Sequence, residues 1–289
     1  MDHNRIVRAF QKFGIKHVIT RGLEFAMLQT SPTASIYWEI VPKYYQLRYS
    51  QELRSYDKSM NAFQLHYISP QSVQRITPRG RPSDGILNDI GSVKDGDWDL
   101  KSCSPDDYSL FYSDDITDTL LYQAMENRYK YGVEWEETEF YQVVVDKINS
   151  GNPEWHGCTT VDDVNRKCAY VDGLYNRIRD NGYKTQMELR ESSPSIEDEF
   201  GFTNMHLMEI SIDIARDGKP LLVDGRHRLY ISQMLDLDCV PVCIIVRHKE
   251  WMSRFNEFDD TTESELIDQK FGPNGMPSGS TLESDSRPS

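Results

Sequence analysis

The sequence contains few cysteines and no long apolar run. Its five cysteines are scattered through 289 residues, which does not fit the disulfide framework of a small secreted protein. No stretch approaches the roughly 18 consecutive apolar residues of a membrane-spanning helix, and the first residues lack the apolar core of a signal peptide. We therefore expect a cytoplasmic protein with reduced thiols and no membrane partner.

Basic side chains are also fewer than acidic ones. Lys and Arg number 32 against 46 Asp and Glu, which gives a formal net charge of -14. Such a surface repels a phosphate backbone unless positive charge is gathered locally, so affinity for any nucleic acid sequence is not expected. Gly-x-Ser-x-Gly, Walker and His-Glu-x-x-His motifs are missing as well, which leaves serine hydrolase, P-loop and zincin chemistries unsupported.

Composition divides the chain into three parts. Residues 1–90 are rich in Tyr and Phe and indicate a mixed, ordered region of unknown role, with an amphipathic stretch at 6–13 and a strand-like run at 35–41. Residues 91–258 carry the clearest periodicity. In residues 259–289, 12 of 31 residues are Gly, Pro or Ser and seven are acidic, which predicts a disordered acidic tail.

Three helices are predicted in the middle of the chain. Apolar residues recur at spacings of three and four over residues 116–128, 140–148 and 164–178, and a glycine follows each run. Thr160 and Asp163 have the spacing of a capping arrangement at the start of the third helix.

The period then changes from that of helices to that of strands. Residues 209–215 alternate apolar and polar side chains, Asp217-Gly218 is a hairpin turn signal, and residues 220–223 predict the returning strand. A helix over 226–235 and an apolar strand over 240–246 should follow. The order of helix, hairpin, helix and strand predicts an α+β fold.

The most informative motif is Asp224-Gly225-Arg226-His227-Arg228, where a strand hands over to a helix. The start of a helix offers unpaired N–H groups and the positive end of the macrodipole, and a glycine lets an anion approach the backbone. Two arginines and a histidine add side-chain donors at the same place. The motif therefore predicts a phosphate site, although a surface helix start with paired arginines would fit the pattern too.

Two other clusters have plainer interpretations. Asp95, Asp97 and Asp99 lack the remaining ligands of a calcium loop, so a turn is favoured over an ion site. Cys239 and Cys243 lie on one face of an apolar strand, which favours a buried pair over a metal site. No metal-ligating residues are predicted.

Residues 224–242 resemble the second box of ParB-like proteins, which runs Asp-Gly-Glu-Arg-Arg-Leu, a helix and then Val-Pro-Val. Upstream, residues 174–190 are similar to the first box, in which a helix ends at a glycine and leads into Gln-Pro and a strand. Gly182 and Gln186 stand at the corresponding positions. The resemblance covers about residues 172–247.

This resemblance implies the ParB/sulfiredoxin fold, with nucleotide phosphates held by the second box. Members include CTP-binding partition proteins, ATP-dependent sulfiredoxins and an ADP-dependent kinase of free serine with the motif Asp-Gly-His-His-Arg. Arg226 stands where sulfiredoxins have the attacking cysteine, which argues against sulfinic acid reduction, and Gln186 replaces the usual Pro. Too few residues follow Val246 for the DNA-binding domain of a partition protein, so clamp formation on DNA is not expected.

The implied ligand is ATP, ADP or CTP with Mg²⁺, bound by residues 225–228 together with Gly182 and Gln186. Phosphoryl transfer needs a carboxylate near the nucleophile. Asp224 is the first catalytic candidate, with a helix cap as its alternative role. Glu188 and Glu191 are expected on and just beyond the first-box strand, either near the same pocket or as solvated side chains.

These observations leave different classes of function open. The leading hypothesis is a nucleotide-binding switch or phosphotransferase acting at the Asp224–Arg228 motif. The alternative is a DNA-associated regulator or nuclease that contacts DNA or a DNA-bound protein, which predicts clustered positive charge around Arg226, Arg228, Arg247 and Lys249. A scaffold that holds a structural anion is the third.

Overall fold

The computed structural model describes residues 23, 27–28, 31–57, 59–79, 86–102, 110–192, 201–255 and 263–272. Within these ranges the chain forms a mixed six-stranded sheet with helices packed around it. The predicted α+β class is confirmed. The amphipathic stretch at residues 6–13 lies outside the described residues.

The strands are short except for the last one. They are β1 (Leu65–Ile68), β2 (Arg75–Ile76), β3 (Ser92–Lys94), β4 (Ile210–Ile214), β5 (Pro220–Asp224) and β6 (Val240–His248). The helices are α1 (Ser31–Tyr49), α2 (Leu120–Tyr131), α3 (Glu139–Asn149), α4 (Val161–Asn181), α5 (Gln186–Ser192), α6 (Phe202–Leu207), α7 (Arg226–Met234), α8 (Lys249–Phe255) and α9 (Glu263–Phe271).

The sheet is organised around β6. One edge of β6 pairs in parallel with β4, which forms an antiparallel hairpin with β5, and β5 pairs in parallel with β2. The other edge pairs antiparallel with β1 at residues 240–243 and in parallel with β3 at residues 246–248. Strands from both sides of residue 90 thus belong to one sheet, and the region before that residue supplies two of them.

All nine residues of β6 are buried. The run of apolar residues without polar alternation explains this, because such a run suits a strand that is covered on both faces. Arg247 at its end is buried as well, and its guanidinium forms an ion pair with the buried carboxylate of Glu263.

The three helices predicted from apolar periodicity are present as α2, α3 and α4. Thr119, Thr138 and Thr160 cap their N-termini, each accepting a hydrogen bond from a backbone N–H of the first turn. Thr160 and Asp163 form the predicted capping box. Gly132 follows α2 in the left-handed conformation, with φ of 72°.

The predicted hairpin, helix and final strand are also confirmed. β4 and β5 pair through a turn in which the N–H of Gly218 donates to the carbonyl of Ala215 at 2.9 Å. Helix α7 and strand β6 lie within two residues of their predicted bounds. The strand, turn and helix that carry the Asp224–Arg228 motif are therefore in place.

The strand expected at residues 35–41 was wrong, because this segment lies inside helix α1. Its residues follow a helical pattern of burial: Tyr37 and Tyr45 are buried on one face, and the hydroxyl of Tyr37 accepts a hydrogen bond from the N–H of Phe202 at 2.8 Å. The β-branched and aromatic run resembled a strand, but tertiary packing selects the helix.

The strand expected in the first-box segment was also wrong. Residues 186–192 form helix α5, and Thr185 and Glu188 stabilise its start. The N–H of Glu188 donates to the Thr185 hydroxyl at 3.1 Å, and the Glu188 carboxylate accepts from the Thr185 N–H at 2.7 Å. This is the reciprocal arrangement of a capping box.

Part of the expected disordered tail is helical. Residues 263–271 form α9, in which Ile267 and Phe271 are buried. The carbonyl of Phe271 accepts a hydrogen bond from the N–H of Ser69 at 2.6 Å, next to β1. Apolar burial and the Glu263 ion pair outweigh the polar composition that predicted disorder.

Candidate functional site

The Asp224–Arg228 motif forms the junction between β5 and α7. Gly225 is the N-cap residue, with φ of 87°, and as a glycine it has no side chain of its own to cap the first turn of the helix. The N–H of Gly225 donates to Oδ1 of Asp224 at 2.8 Å. The first N–H groups of α7 lie at the positive end of the helix macrodipole, where an anion is stabilised.

Gly225 is required at this junction for two reasons. Its φ lies in the left-handed region, which other residues seldom adopt. A Cβ atom here would also lie 2.9 Å from Cα of Ile210 in β4. The absence of a side chain lets the start of α7 pack directly against the neighbouring strand.

A cleft of about 390 Å³ opens beside the start of α7. Residues 224–228 form one side of it. The remaining walls come from three separate segments, namely Phe111 and Tyr112 before α2, residues 154–156 between α3 and α4, and Lys167, Tyr170 and Leu174 on α4.

Arg226 is held against the aromatic wall of this cleft. One of its terminal nitrogens donates to the carbonyl of Phe111 at 2.9 Å. Its guanidinium carbon lies 5.0 Å from the ring centroid of Tyr112 and 5.3 Å from that of Phe111. These contacts orient the guanidinium and leave some of its five N–H donors for an anion.

His227 is a half-buried residue with a neutral imidazole. Burial and then the positive charges of Arg226 and Lys167 lower its pKa to about 3. Its ring lies 6.2 Å from the ring of Trp155. The Nε2 atom is buried, and none of the described residues gives it a hydrogen-bond partner. A buried nitrogen in this condition is costly, and a bound ligand would satisfy it.

Arg228 is paired with a carboxylate. Its Nη1 lies 3.5 Å from Oε2 of Glu209, and both side chains are largely buried. The same carboxylate accepts hydrogen bonds from the Tyr183 hydroxyl at 3.4 Å and from the Gln186 N–H at 2.5 Å. Burial raises the pKa of Glu209, opposed by these donors and by Arg228. Through these contacts, Glu209 links the first residue of α5 to Arg228 of α7.

Lys167 is a cation of the cleft that the sequence did not indicate. Its ammonium donates to the carbonyl of His156 and lies 4.9 Å from the ring centroid of Trp155. Burial lowers its pKa. Because Lys167, Tyr170 and Leu174 lie three and four residues apart, they share one face of α4. That spacing was the available signal, but it does not reveal which element the face contacts.

The predicted site residues fall into two groups. Asp224, Gly225, Arg226, His227 and Arg228 all line the cleft.

The other predicted residues do not line this cleft. Gly182 is exposed at the end of α4, and Gln186 uses its backbone N–H for Glu209. Glu188 caps helix α5, and hydrogen bonds from Thr185 lower its pKa. Glu191 is exposed on the same helix.

The acidic turn at residues 95–99 is occupied by internal contacts. Arg216 contacts the carboxylates of Asp97 and Asp99 at 2.8 Å, and Lys249 contacts Asp95 at 2.8 Å. Asp99 is buried in this cluster. Within the part of the chain that the structure describes, no group of His, Cys, Asp and Glu residues has the geometry of a metal site.

Cys239 and Cys243 do not line the cleft. Cys243 is buried, and burial raises the pKa of its thiol to about 12. Cys239 is half-buried, just before the strand. The predicted buried pair is therefore confirmed for Cys243 only, because Cys239 lies outside the strand and is not fully buried.

Among the described helices, none combines the length and the apolar character that crossing a membrane requires. Comparisons with protein-family models, with curated proteins and with solved structures found no match.

Proposed function

We propose that the cleft binds a nucleotide whose phosphates lie against the start of α7. The observation that carries this proposal is the buried Nε2 of His227 beside a helix N-terminus whose N-cap residue is glycine. An anion at this position would accept hydrogen bonds from the first N–H groups of α7 and from a neutral His227. Arg226 and Lys167 supply positive charge at the same cleft.

The aromatic walls suit the base or sugar of such a ligand. Trp155, Tyr112 and Tyr170 line the cleft with Arg226 and Lys167. A base has two π-faces, and stacking on an aromatic side chain contributes about 1–3 kcal/mol. An inorganic anion would use only the polar part of this cleft, so the aromatic walls support an organic phosphate.

The resemblance to ParB-like proteins supports the same ligand class. The matching segment comprises the end of β5, all of α7 and the first residues of β6. We propose that the chain has the ParB/sulfiredoxin fold and that ATP, ADP or CTP with Mg²⁺ is the ligand. The first-box match carries less weight, because residues 186–192 are helical.

Asp224 is the carboxylate that we assign to chemistry at this site. It lies beside Gly225 and lines the cleft. It could bind Mg²⁺ together with phosphate oxygens, or accept a proton from an attacking hydroxyl. Either role would support nucleotide hydrolysis or phosphoryl transfer.

The DNA-associated alternative has less support from the geometry. Arg247 is 1% exposed and paired with Glu263. Lys249 pairs with Asp95, and Arg228 pairs with Glu209. Three of the four cations on which the alternative depends therefore have a carboxylate partner, which weakens their attraction for a phosphate backbone.

Calorimetric titration with ATP, ADP, CTP and GTP in the presence of Mg²⁺ tests the proposal. Arg226→Ala should weaken binding by about 10- to 100-fold, since a charged hydrogen bond is worth about 1.5–3 kcal/mol. Lys167→Gln should weaken it by roughly tenfold. Absence of binding by all four nucleotides would refute the proposal.

Arg166→Gln is the matched control. Arg166 precedes Lys167 on α4, but its side chain is 71% exposed and paired with Asp163. Its replacement should leave nucleotide affinity unchanged. Asp224→Asn separates binding from chemistry: the variant should bind nucleotide and show no conversion of ATP when products are separated by chromatography.

A further inference from the structure

Helix α1 carries a stripe of large apolar side chains that face solvent. Ile36, Ile40, Tyr44 and Leu47 are 50%, 58%, 52% and 58% exposed. At about 100° per residue, they fall within a sector of about 80° on one side of the helix. Single exposed apolar residues are ordinary, but a contiguous stripe marks an interaction surface.

The other face of α1 is already used. Tyr45 is buried and stacks on Phe202 of α6, with ring centroids 6.2 Å apart. The helix is thus fixed on the molecule by one face and presents the stripe with the other. A partner must therefore bind to a rigid helix surface.

We infer that the stripe binds the same stripe of a second copy of this chain, with the two α1 helices antiparallel. A two-fold axis near residues 41 and 42 would place Ile36 opposite Leu47 of the partner subunit, and it would bring Ile40 within one residue of the level of Tyr44 of the partner subunit. Every apolar residue of the stripe then faces another one. Such a self-complementary arrangement is what an isologous dimer requires.

The charges beside the stripe favour this arrangement. Glu39 and Lys43 are exposed and lie on the same flank of the stripe. In an antiparallel two-fold pair, each flank faces its own equivalent, so Glu39 of one copy lies within one residue of the level of Lys43 of the other, which is within reach of these long side chains. Two equivalent ion pairs between opposite charges would form, one from each copy's Glu39 to the other copy's Lys43. A parallel pair does not provide this matching across one flank.

Sedimentation equilibrium of the full chain over nanomolar to micromolar concentration tests the dimer. The wild-type chain should be dimeric at micromolar concentration. Ile40→Asp should raise the dimer dissociation constant by about 100-fold, because each copy loses a buried Ile side chain. Leu100→Asp is the control, since Leu100 is 61% exposed outside α1, and it should leave the dissociation constant unchanged.

Charge exchange tests the antiparallel pairing. Glu39→Lys and Lys43→Glu should each weaken the dimer by roughly tenfold through like charges. The double variant should return to within about threefold of the wild-type dissociation constant. Circular dichroism should show unaltered helix content in all four α1 variants.

Three results would overturn the inference. One is a wild-type chain that remains monomeric even at a concentration 100-fold above the micromolar range. This result would mean that another partner covers the stripe. The second is a dimer that tolerates Ile40→Asp. The third is a double charge variant that stays as weak as the single ones.

Discussion

Replacing Gly225 by alanine perturbs the start of α7 in a way that the structure makes quantitative. At φ of 87° an alanine costs about 1–2 kcal/mol relative to ordinary conformations. Its Cβ would lie 2.9 Å from Cα of Ile210, closer than the roughly 3.5–4.0 Å of a favourable carbon contact. Overpacking of this kind costs about 1–3 kcal/mol. We expect a total loss of about 2–5 kcal/mol, a large part of a typical domain's stability.

Gly132→Ala is the matched control for this variant. Gly132 has φ of 72°, but no atom lies within 4 Å of its ideal Cβ position. Its replacement should lose only the conformational part, about 1–2 kcal/mol. Urea unfolding of both variants, followed by circular dichroism and tryptophan fluorescence, measures the difference.

The decisive quantity is the difference between the two variants. Gly225→Ala should lose about 1–3 kcal/mol more than Gly132→Ala, at an unchanged urea dependence. Equal losses would contradict the reasoning that the start of α7 is packed against β4. Gly225→Ala should also bind nucleotide at least roughly tenfold more weakly under conditions where it is folded, since the first N–H groups of α7 must shift.

Three further variants test buried charges. Glu263→Gln should lower the free energy of unfolding by about 3–5 kcal/mol in urea titrations, because it leaves Arg247 buried without its carboxylate. Glu209→Gln should lower it by about 1–3 kcal/mol but raise nucleotide affinity by roughly fivefold in calorimetry, since Arg228 is then free to attract the phosphates. Burial lowers the pKa of His66 to about 4. As the pH falls, the unfolded chain therefore takes up a proton at His66 before the folded chain does. The contribution of neutral His66 to the free energy of unfolding is fully present above about pH 6.5 and is lost as the pH falls towards 4. His66→Gln should therefore flatten the pH profile of unfolding over that window by on the order of 3 kcal/mol.

An exposed carboxylate supplies the control for the two glutamate variants. Glu126 pairs with Lys130 at 3.2 Å on the surface of α2. Glu126→Gln should change stability by no more than about 0.5 kcal/mol. Similar losses of unfolding free energy in Glu126→Gln and Glu263→Gln would contradict the reasoning that a buried carboxylate contributes more to stability than one at the surface. An unchanged pH profile of unfolding in His66→Gln would contradict the lowered pKa of His66.

Local patterns predicted the segments that form this site's floor. The alternation before the Asp217-Gly218 turn and the uninterrupted apolar run of β6 are each typical of one kind of strand and have clear ends. The hairpin, α7 and β6 could therefore be predicted from the sequence. The run at residues 35–41 was misjudged because a short stretch rich in apolar and aromatic side chains fits either a strand or a helix face. Burial of Tyr37 and Tyr45 in the folded chain decides between them.

The helix at residues 186–192 carried a usable signal. Thr185 and Glu188 have the spacing of a capping box, which predicts a helix start rather than a strand. The resemblance to the first box instead implied a strand for this segment. Local capping chemistry was the better guide here.

The walls of the cleft could not be predicted in the same way. Lys167 and Trp155 are separated from the motif by about sixty or seventy residues, and nothing local shows that α4 packs against α7. His227 illustrates the same limit. The sequence predicts an anion donor that titrates near neutral pH, whereas burial keeps its ring neutral. Such properties depend on which surfaces meet after folding.

The central position of β6 has a consequence for how the chain acquires its structure during synthesis. Among the strands of the described residues, β6 is the last to leave the ribosome, yet β1, β3 and β4 all hydrogen-bond to it. These strands are therefore translated with their pairing edges open and wait for residue 248 to emerge. Folding of the sheet should therefore follow the emergence of β6, and nascent chains stalled before β6 should depend on chaperones to stay out of aggregates.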